Sequence, residues 1–344
     1  MFSGLRAAMK LKRQSKDEEE SERFLMHGGL LLEELIASCD GNSNPIRIFS
    51  SKELNKATKN YDSHHRICRG HDEVMFRGSL EGRTISVKKA SGLPWSINEI
   101  VVASQMSSHK NVLKLLGCCL ETEIPTPVFE FVGKTTLSDH IHGRSYPVLS
   151  WENKLRIATE IADAVTYLHT ALPKSIIHRD IKPSNVFLDD QHYYAAKLSG
   201  FSLSIPIPLG EADVEANIAG TIGFLAPEAV MTGRFAEKSD VYGFGALLLE
   251  ILTGKKAWDS RWDELGEAQL LLNQAMDINT TEQFLKANIM IQGNAEQSIL
   301  ACEALSLRCL KQNPEERPTM KEVAKELRRI QKATDDPSFK SSIR

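Results

Sequence analysis

Cysteine is scarce in this sequence, and no two cysteines have the spacing of a zinc site. The six cysteines are scattered along the chain, and only Cys118 and Cys119 are neighbours. A zinc ribbon needs Cys-x-x-Cys pairs, and a disulfide-stapled fold needs many cysteines in a short chain. The sequence therefore predicts neither a metal site nor a disulfide framework, and its cysteine usage is typical of a reducing compartment.

Long apolar runs and an excess of one charge are also missing. The most apolar run, residues 28–37, is too short to span a bilayer and contains Glu33 and Glu34. The chain begins Met1-Phe2 and so lacks the glycine that N-myristoylation requires. A net charge of −3 gives no basis for a nucleic-acid surface. We therefore expect no nucleic-acid partner and weak or no direct contact with a membrane.

The sequence does contain three regions of different pattern. Residues 1–47 form an N-terminal extension, in which a charged segment predicted to be disordered precedes an amphipathic helix at about 24–38. Residues 48–331 are predicted to fold, starting with a helix after Ser50, which has capping-box spacing to Glu53. Strand-like runs lie in about 48–131 and helical runs in about 132–331, so we expect an α+β fold with two lobes. Residues 332–344 are predicted to be a disordered tail.

A series of motifs runs through the predicted folded region in a fixed order. They are Lys88 in Ile85-Ser86-Val87-Lys88, Glu99 in a helical run, His178-Arg179-Asp180 with Lys182 and Asn185, Gly220-Thr221, Ala226-Pro227-Glu228, Asp240 in SDVYGFG and Arg317 in NPEERPTM. Together they resemble the protein kinases over residues 49–330. The resemblance implies a bilobal kinase-like fold with a small β-rich N-lobe and a helical C-lobe.

The resemblance also implies a role for each motif. Lys88 and Glu99 match the pair that positions ATP phosphates, and Asp180 matches the acceptor of the substrate hydroxyl proton. Asn185 matches a magnesium ligand, and Lys182 lies within the same loop. A second group matches scaffold positions rather than chemistry: Leu115, His178 and Phe201 of the hydrophobic spine, the anchor Asp240, and the ion pair of Glu228 with Arg317.

The chain departs from the kinase pattern where magnesium and ATP would bind. Gly200 precedes Phe201 at the position of the main magnesium-binding aspartate. The stretch from Cys68 to Glu73 stands where a glycine-rich loop would cover the phosphates and keeps only its middle glycine, Gly70. We therefore expect no functional catalytic residue, no required cofactor, and weak or absent binding of ATP and magnesium.

The predicted adenine slot departs from the pattern as well. Met75, Ser86 and Phe187 stand at its upper and lower surfaces, and a phenylalanine there takes volume that a purine needs. A flexible methionine and a stacked phenyl ring leave the alternative that adenine still binds.

The predicted activation segment, 200–228, has no Ser, Thr or Tyr between Ser204 and Thr221. Glu211, Asp213 and Glu215 lie in that stretch. They form either a solvated acidic loop or a permanent substitute for phosphate that pairs with Arg179.

Three stretches narrow the resemblance further: LLGCCLETE (115–123), EIADAVTYLH (160–169) and the N-terminal FLMHGG (24–29). They are similar to plant wall-associated kinases and, within that group, to the ZED1-related (ZRK) kinases of receptor-like cytoplasmic kinase subfamily XII. The resemblance implies a pseudokinase that acts as an adaptor or decoy for a coiled-coil NLR immune receptor. It implies, as further partners, a bacterial effector, another receptor-like cytoplasmic kinase, or both, in the cytoplasm or at the plasma membrane through the partner complex.

The N-terminal helix is the predicted partner surface. Leu31, Leu32, Leu35 and Ile36 are predicted to form one apolar stripe, with Gly28 at a mobile attachment. The alternative for this helix is that it packs back on the N-lobe. The alternative for the whole protein is a weakly active Ser/Thr kinase that transfers phosphate from ATP.

Overall fold

The computed structural model describes residues 2–39, 46–69, 73–90, 92–143, 145–257 and 296–335. The chain divides into two compact units. The first consists of Met1–Ser108 and Leu113–Phe131, and the second of His109–Val112 and Val132–Arg344. The α+β class predicted from the order of strand-like and helical runs is confirmed.

A six-stranded sheet forms the centre of the first unit. Its strands are β1 (Arg47–Ile48), β2 (Arg66–Arg69), β3 (Glu73–Leu80), β4 (Arg83–Ala90), β5 (Leu115–Cys119) and β6 (Thr126–Glu130). They lie in the order β1-β5-β6-β4-β3-β2, and every neighbouring pair is antiparallel except β1 with β5. One face of the sheet packs on α2 (Ser51–Ala57), where Leu54, Val87 and Val128 are fully buried together. The start of α2 confirms the predicted capping box, because Ser50 and Glu53 bond each other reciprocally.

Helix α1 (Phe2–Cys39) is longer than the sequence pattern predicted, and the charged segment expected to be disordered is part of it. No proline occurs before Pro45, and the segment is rich in Leu, Lys, Arg and Glu, which have good helix propensity. Ion pairs one helical turn apart, Lys16–Glu20 and Arg23–Glu19, add to its stability. The prediction failed because a charged composition was taken as a sign of disorder.

Helix α1 packs against α3 (Leu93–Met106) of the same unit. His27 is fully buried, and its Nδ1 lies 2.8 Å from the carbonyl oxygen of Leu120. Leu31 is buried one turn later, and Arg23 donates to the carbonyl of Glu121 at 3.1 Å. The alternative that this helix packs back on the N-lobe is therefore part of the answer, and Gly28 lies inside the helix rather than at a hinge before it.

The second unit is mainly helical. Within its described residues, the helices are α4 (Leu137–His142), α5 (Trp151–Thr170), α6 (Pro227–Thr232), α7 (Glu237–Thr253), α8 (Glu296–Cys309) and α9 (Met320–Asp335). The strands described in this unit form three two-stranded ladders: β7 (Ile176–Ile177) with β10 (Ile205–Pro206), β8 (Val186–Asp189) with β9 (Ala195–Leu198), and β11 (Val214–Glu215) with β12 (Arg234–Phe235). Helix α7 is buried along most of its length and packs on α5 and α8.

Helix α9 corrects the predicted start of the disordered tail. It continues to Asp335, because Val323, Leu327 and Ile330 are buried at helical spacing and hold the helix against α5 and α8. The rest of the predicted tail, 336–344, lies outside the described residues. Among the helices that the structure describes, none is both long enough and apolar enough to cross a membrane.

Candidate functional site

Lys88 and two carboxylates form a buried ion cluster in the first unit. Strand β4 carries Lys88, whose Nζ lies 2.8 and 2.7 Å from the two carboxylate oxygens of Glu99 on α3. A second carboxylate, that of Glu73, lies 2.5 Å from the same Nζ. Burial alone would lower the pKa of Lys88, but the attraction of Glu99 and then Glu73 outweighs it and raises the pKa above its ordinary value. Lys88 is therefore a stable cation in its buried position.

Strand register explains how Glu73 reaches Lys88. Met75 of β3 lies directly opposite Lys88 of β4, and Glu73 lies opposite Ala90. Side chains two residues apart on a strand share a face, so Glu73 and Met75 point to the same side as Lys88. A long side chain reaches its diagonal neighbour across an antiparallel pair. Residues 70–72 lie outside the described residues, so the structure does not test the predicted role of Gly70.

Asp240 holds the start of the catalytic-type loop in the second unit. Its carboxylate accepts hydrogen bonds from the backbone N–H groups of His178 at 2.7 Å and Arg179 at 2.9 Å. His169 Nε2 lies 2.8 Å from the same carboxylate, and Asp240 is 2% exposed. Arg179 has a φ of +70°, a strained conformation for a side chain of its size. The buried carboxylate holds the backbone in this shape and so sets the direction of Asp180.

Three neighbouring side chains bond the carboxylate of Asp180. Its Oδ1 accepts from the hydroxyl of Thr221 at 2.6 Å, and its Oδ2 accepts from Lys182 Nζ at 2.7 Å and Asn185 Nδ2 at 2.9 Å. Lys182 also donates to the Thr221 hydroxyl at 2.7 Å. Burial raises the pKa of Asp180, but the Lys182 charge and the bonds from Lys182 and Thr221 outweigh it, so the pKa is lowered. Asp180 is thus an ionised carboxylate with three of its roughly four acceptor positions used.

Gly200 lies beside this cluster and offers no side-chain ligand. Its backbone is left-handed, with φ +83° and ψ 42°. A Cβ atom at Gly200 would lie 2.7 Å from both Cγ and Nδ2 of Asn185, so the asparagine amide fills the space that a side chain would enter. That amide also donates to the carbonyl and the carboxylate of Asp180. Magnesium prefers carboxylate oxygens in octahedral geometry, and Gly200 offers it none.

The sequence model described as protein kinase domain matches residues 83–327. The chain belongs to the protein kinase family. The match covers the Lys88 cluster from β4 onward, the Asp180 loop, Gly200 and the ion pair of Glu228 with Arg317.

Individual relatives refine this placement and agree with the resemblance to the ZRK kinases. The chain is 39% identical over 336 residues to non-functional pseudokinase ZED1 of Arabidopsis thaliana, covering 92% of this chain and 99% of that protein. It is 38% identical to serine/threonine-protein kinase ZRK1 of the same plant, covering 94% and 96%. It is 37% identical to the plant's wall-associated receptor kinase-like 1, where 97% of this chain corresponds to 47% of the relative, so the chain spans about half of that protein.

The residues of the predicted adenine slot are all buried, each within its own unit. Met75 is 7% and Ser86 3% exposed in the first unit, and Phe187 is 4% exposed in the second. Phe187 lies on β8, opposite Lys197 of β9, and forms a bridge with Thr136.

The predicted scaffold residues are buried except for Glu228, which is half-buried. Leu115 is 7% exposed in the first unit. In the second unit the rings of His178 and Phe201 lie 5.1 Å apart, and burial lowers the pKa of His178. Arg317 is bidentate on Glu228, at 2.7 and 2.8 Å. These side chains pack and bond within their own units.

Arg179 does not pair with the acidic residues of the activation segment. One of the two predictions, the permanent substitute for phosphate, required that pairing. Arg179 instead donates to the backbone carbonyls of Leu203 and Asn217 and lies over the ring of Phe235 at 4.0 Å. Asp213 pairs with Arg234 at 2.5 Å on the neighbouring strand β12. The segment is held by the β11–β12 ladder, and backbone carbonyls of the segment bond Arg179.

The four apolar residues of the predicted partner surface do not form one stripe. Leu31 is buried and Leu35 half-buried against the first unit, whereas Leu32 is 59% and Ile36 55% exposed. A helix turns about 100° per residue, so adjacent leucines in the run LLLEELI point in different directions. The stripe predicted from the sequence merged an inward face with an outward one.

Three functional contacts were missed by the sequence reasoning. Thr221 was noted only as a motif residue. Its hydroxyl accepts from Lys182, and the position of Lys182 two residues after Asp180 was the available signal for this contact. Glu73 was noted only as the end of the stretch that replaces the glycine-rich loop, and only the β3–β4 register could have indicated its contact with Lys88. His27 carried no signal beyond its position one turn before Leu31.

Proposed function

We propose that the protein is a catalytically impaired pseudokinase that works as an adaptor in plant immune sensing. The observation that carries the first half is Gly200, which has no ligand atom and whose side-chain space is filled by Asn185. The name of the relative ZED1, a non-functional pseudokinase, supports the same conclusion.

The expected loss of rate follows from the electrostatics of phosphoryl transfer. That reaction depends on metal ions that neutralise charge on the transferred group, while the protein contributes positioning. Removing one preorganised charge stabiliser costs about 3–4 kcal/mol, or a factor of about 10²–10³ in rate. Loss of the carboxylate that holds the metal costs at least as much. Asp180, Lys182, Lys88 and Glu99 are retained as relics of the kinase pattern.

We expect ATP to bind weakly and to be unnecessary as a cofactor. Buried Phe187 takes volume on β8, and the Lys88 ammonium already carries two carboxylates. The expected dissociation constant is about millimolar or weaker, near −4 kcal/mol. A saturable rise in melting temperature at micromolar ATP, without or with magnesium, would contradict this expectation.

The adaptor role draws its support from the outward face of α1. Leu25, Leu32 and Ile36 are 71%, 59% and 55% exposed. At about 100° per residue, Leu32 and Ile36 fall within about 20° of Leu25, so the three form a line along the helix. We call this line the outer stripe. Its Gly29 neighbour is open to solvent, with nothing within 4 Å of a Cβ position.

The occupant that we propose for the outer stripe is a coiled-coil NLR immune receptor. Surface helices rarely leave several large apolar side chains in a line without a partner. The inward face of α1, with buried His27 and Leu31, fixes the helix on the first unit and so presents the outer stripe rigidly. The resemblance to ZRK kinases supplies the class of partner. It also supplies the further partners, a bacterial effector or a second receptor-like cytoplasmic kinase, in the cytoplasm or at the plasma membrane through the complex.

A double substitution tests the outer stripe. Leu32→Glu with Ile36→Glu should abolish capture of the NLR, because each buried anchor contributes about 1–3 kcal/mol. The melting temperature should stay within about 2 °C of wild type, since both side chains are already exposed. Met26→Glu is the matched control: Met26 is 52% exposed on α1 but lies about 100° from the outer stripe. Capture that survives the double substitution, or is lost equally in the control, contradicts the proposal.

A further inference from the structure

The Lys88 ammonium has no donor left for a ligand. A lysine ammonium has three N–H donors and no acceptor. Three carboxylate oxygens lie within bonding distance of Lys88 Nζ: two of Glu99, at 2.8 and 2.7 Å, and Oε2 of Glu73, at 2.5 Å. The side chain of Lys88 is 3% exposed, so solvent does not compete for these bonds.

The two carboxylates differ in how easily they can be displaced. Glu99 is 2% exposed on α3 and bonds Lys88 through both of its oxygens. Glu73 is 37% exposed, lies at the first residue of β3, and bonds through one oxygen. Glu73 is thus the carboxylate that can be displaced. An incoming anion would reach Lys88 from the side that Glu73 now covers.

We propose that Glu73 is a built-in anion that occupies the phosphate position on Lys88. The Glu73 carboxylate already occupies this side of the Lys88 ammonium, so a phosphate must expel Glu73 or meet its repulsion. The ligand class that Glu73 excludes is a polyphosphate anion, whether free or part of a nucleotide.

This inference deepens the proposed loss of phosphotransfer and rests on it, but it concerns anion binding alone. An inactive protein in which polyphosphate binds freely would leave the proposed function intact and overturn the role of Glu73. An active kinase in which Glu73 excludes polyphosphate from Lys88 would overturn the proposed function and leave the role of Glu73 intact. A binding measurement without magnesium therefore separates the two.

The test is a calorimetric titration of the protein with tripolyphosphate in the presence of EDTA, which measures the dissociation constant without magnesium. Glu73→Gln keeps the shape of the side chain and removes its charge, and we expect it to bind tripolyphosphate about fivefold more tightly than wild type. That factor corresponds to about 1 kcal/mol, the upper value for a partly exposed ion pair. Glu123→Gln is the matched control, because Glu123 is exposed in the same unit and its loss changes the net charge equally. The control should bind as wild type does.

A second variant locates the effect. Lys88→Met added to Glu73→Gln should cancel the gain, since the phosphate then has no ammonium to bind. Equal affinity of wild type and Glu73→Gln, an equal gain in Glu123→Gln, or a gain that survives Lys88→Met would each overturn the proposal. If Glu73→Gln does not fold, the same titration is made with Glu73→Gly. Failure of both variants to fold would also overturn it, because Glu73 would then be a structural residue that no ligand displaces.

Discussion

Removal of the Arg317 side chain should weaken the second unit strongly. Arg317 is 0% exposed and uses all five of its N–H donors. Two go to the carboxylate of Glu228, at 2.7 and 2.8 Å. The other three go to the backbone carbonyls of Lys311 at 2.7 Å, Lys238 at 2.9 Å and Gln312 at 3.2 Å. The guanidinium therefore joins α6, the start of α7 and the segment before α9.

Arg317→Ala leaves each of these acceptors without its donor. Removing one partner of a buried pair costs about 3–5 kcal/mol, because the other charge stays buried and unmatched. Glu228 is 23% exposed, which places the expected cost toward the lower end of that range. For a unit of this size, each kcal/mol lowers the melting temperature by about 2–4 °C, so we expect a fall of roughly 6–12 °C.

The assay is thermal unfolding followed by circular dichroism, with two companion variants. Arg317→Lys keeps the charge but not the planar fork, so its melting temperature should lie between wild type and Arg317→Ala. Arg329→Ala is the matched control: Arg329 is 67% exposed and pairs with Glu326 on the same helix, a contact worth little. An Arg317→Ala variant that melts within about 2 °C of wild type would refute the reasoning, because a buried, fully bonded guanidinium cannot be removed at so small a cost.

Two other predictions concern Gly200 and the thiols. Gly200→Asp should restore no phosphotransfer and should lower the melting temperature, because its Cβ would meet the Asn185 amide at 2.7 Å. Gly200→Ala is the control for the Cβ alone. A gain of ³²P incorporation or of stability in Gly200→Asp would contradict this prediction. Iodoacetamide should alkylate half-buried Cys68 well before Cys118 and Cys309, since burial raises the pKa of each of these two to about 12. Peptide mass spectrometry of the native protein measures the order, and early labelling of a buried thiol would show that its unit opens.

Short motifs allowed much of the second unit to be predicted. The resemblance to protein kinases implied the pair of Glu228 with Arg317 and the anchor Asp240, and both contacts are present in the structure. The capping box at Ser50 needs only four residues, so local sequence was sufficient to place the start of α2.

Contacts between distant residues were not predictable in the same way. The bond of Glu73 to Lys88 depends on the register of β3 against β4. The local sequence before Glu73 does not determine that register. The two faces of α1 are distinguished only by what packs on Leu31 and not on Leu32, and that is a tertiary contact. Arg179 could be paired with several acceptors, and backbone carbonyls, which carry no sequence signal, bind it in the structure.

The most direct test of the proposed loss of catalysis is a phosphotransfer assay on the full chain. Wild type is compared with a Lys88→Ala, Asp180→Ala double variant in ³²P incorporation, both into itself and into a general protein substrate, with magnesium and with manganese. We predict equal incorporation at the level of the double variant, because Gly200 supplies no metal ligand. Incorporation by wild type clearly above the double variant would contradict the pseudokinase proposal and favour a weakly active Ser/Thr kinase.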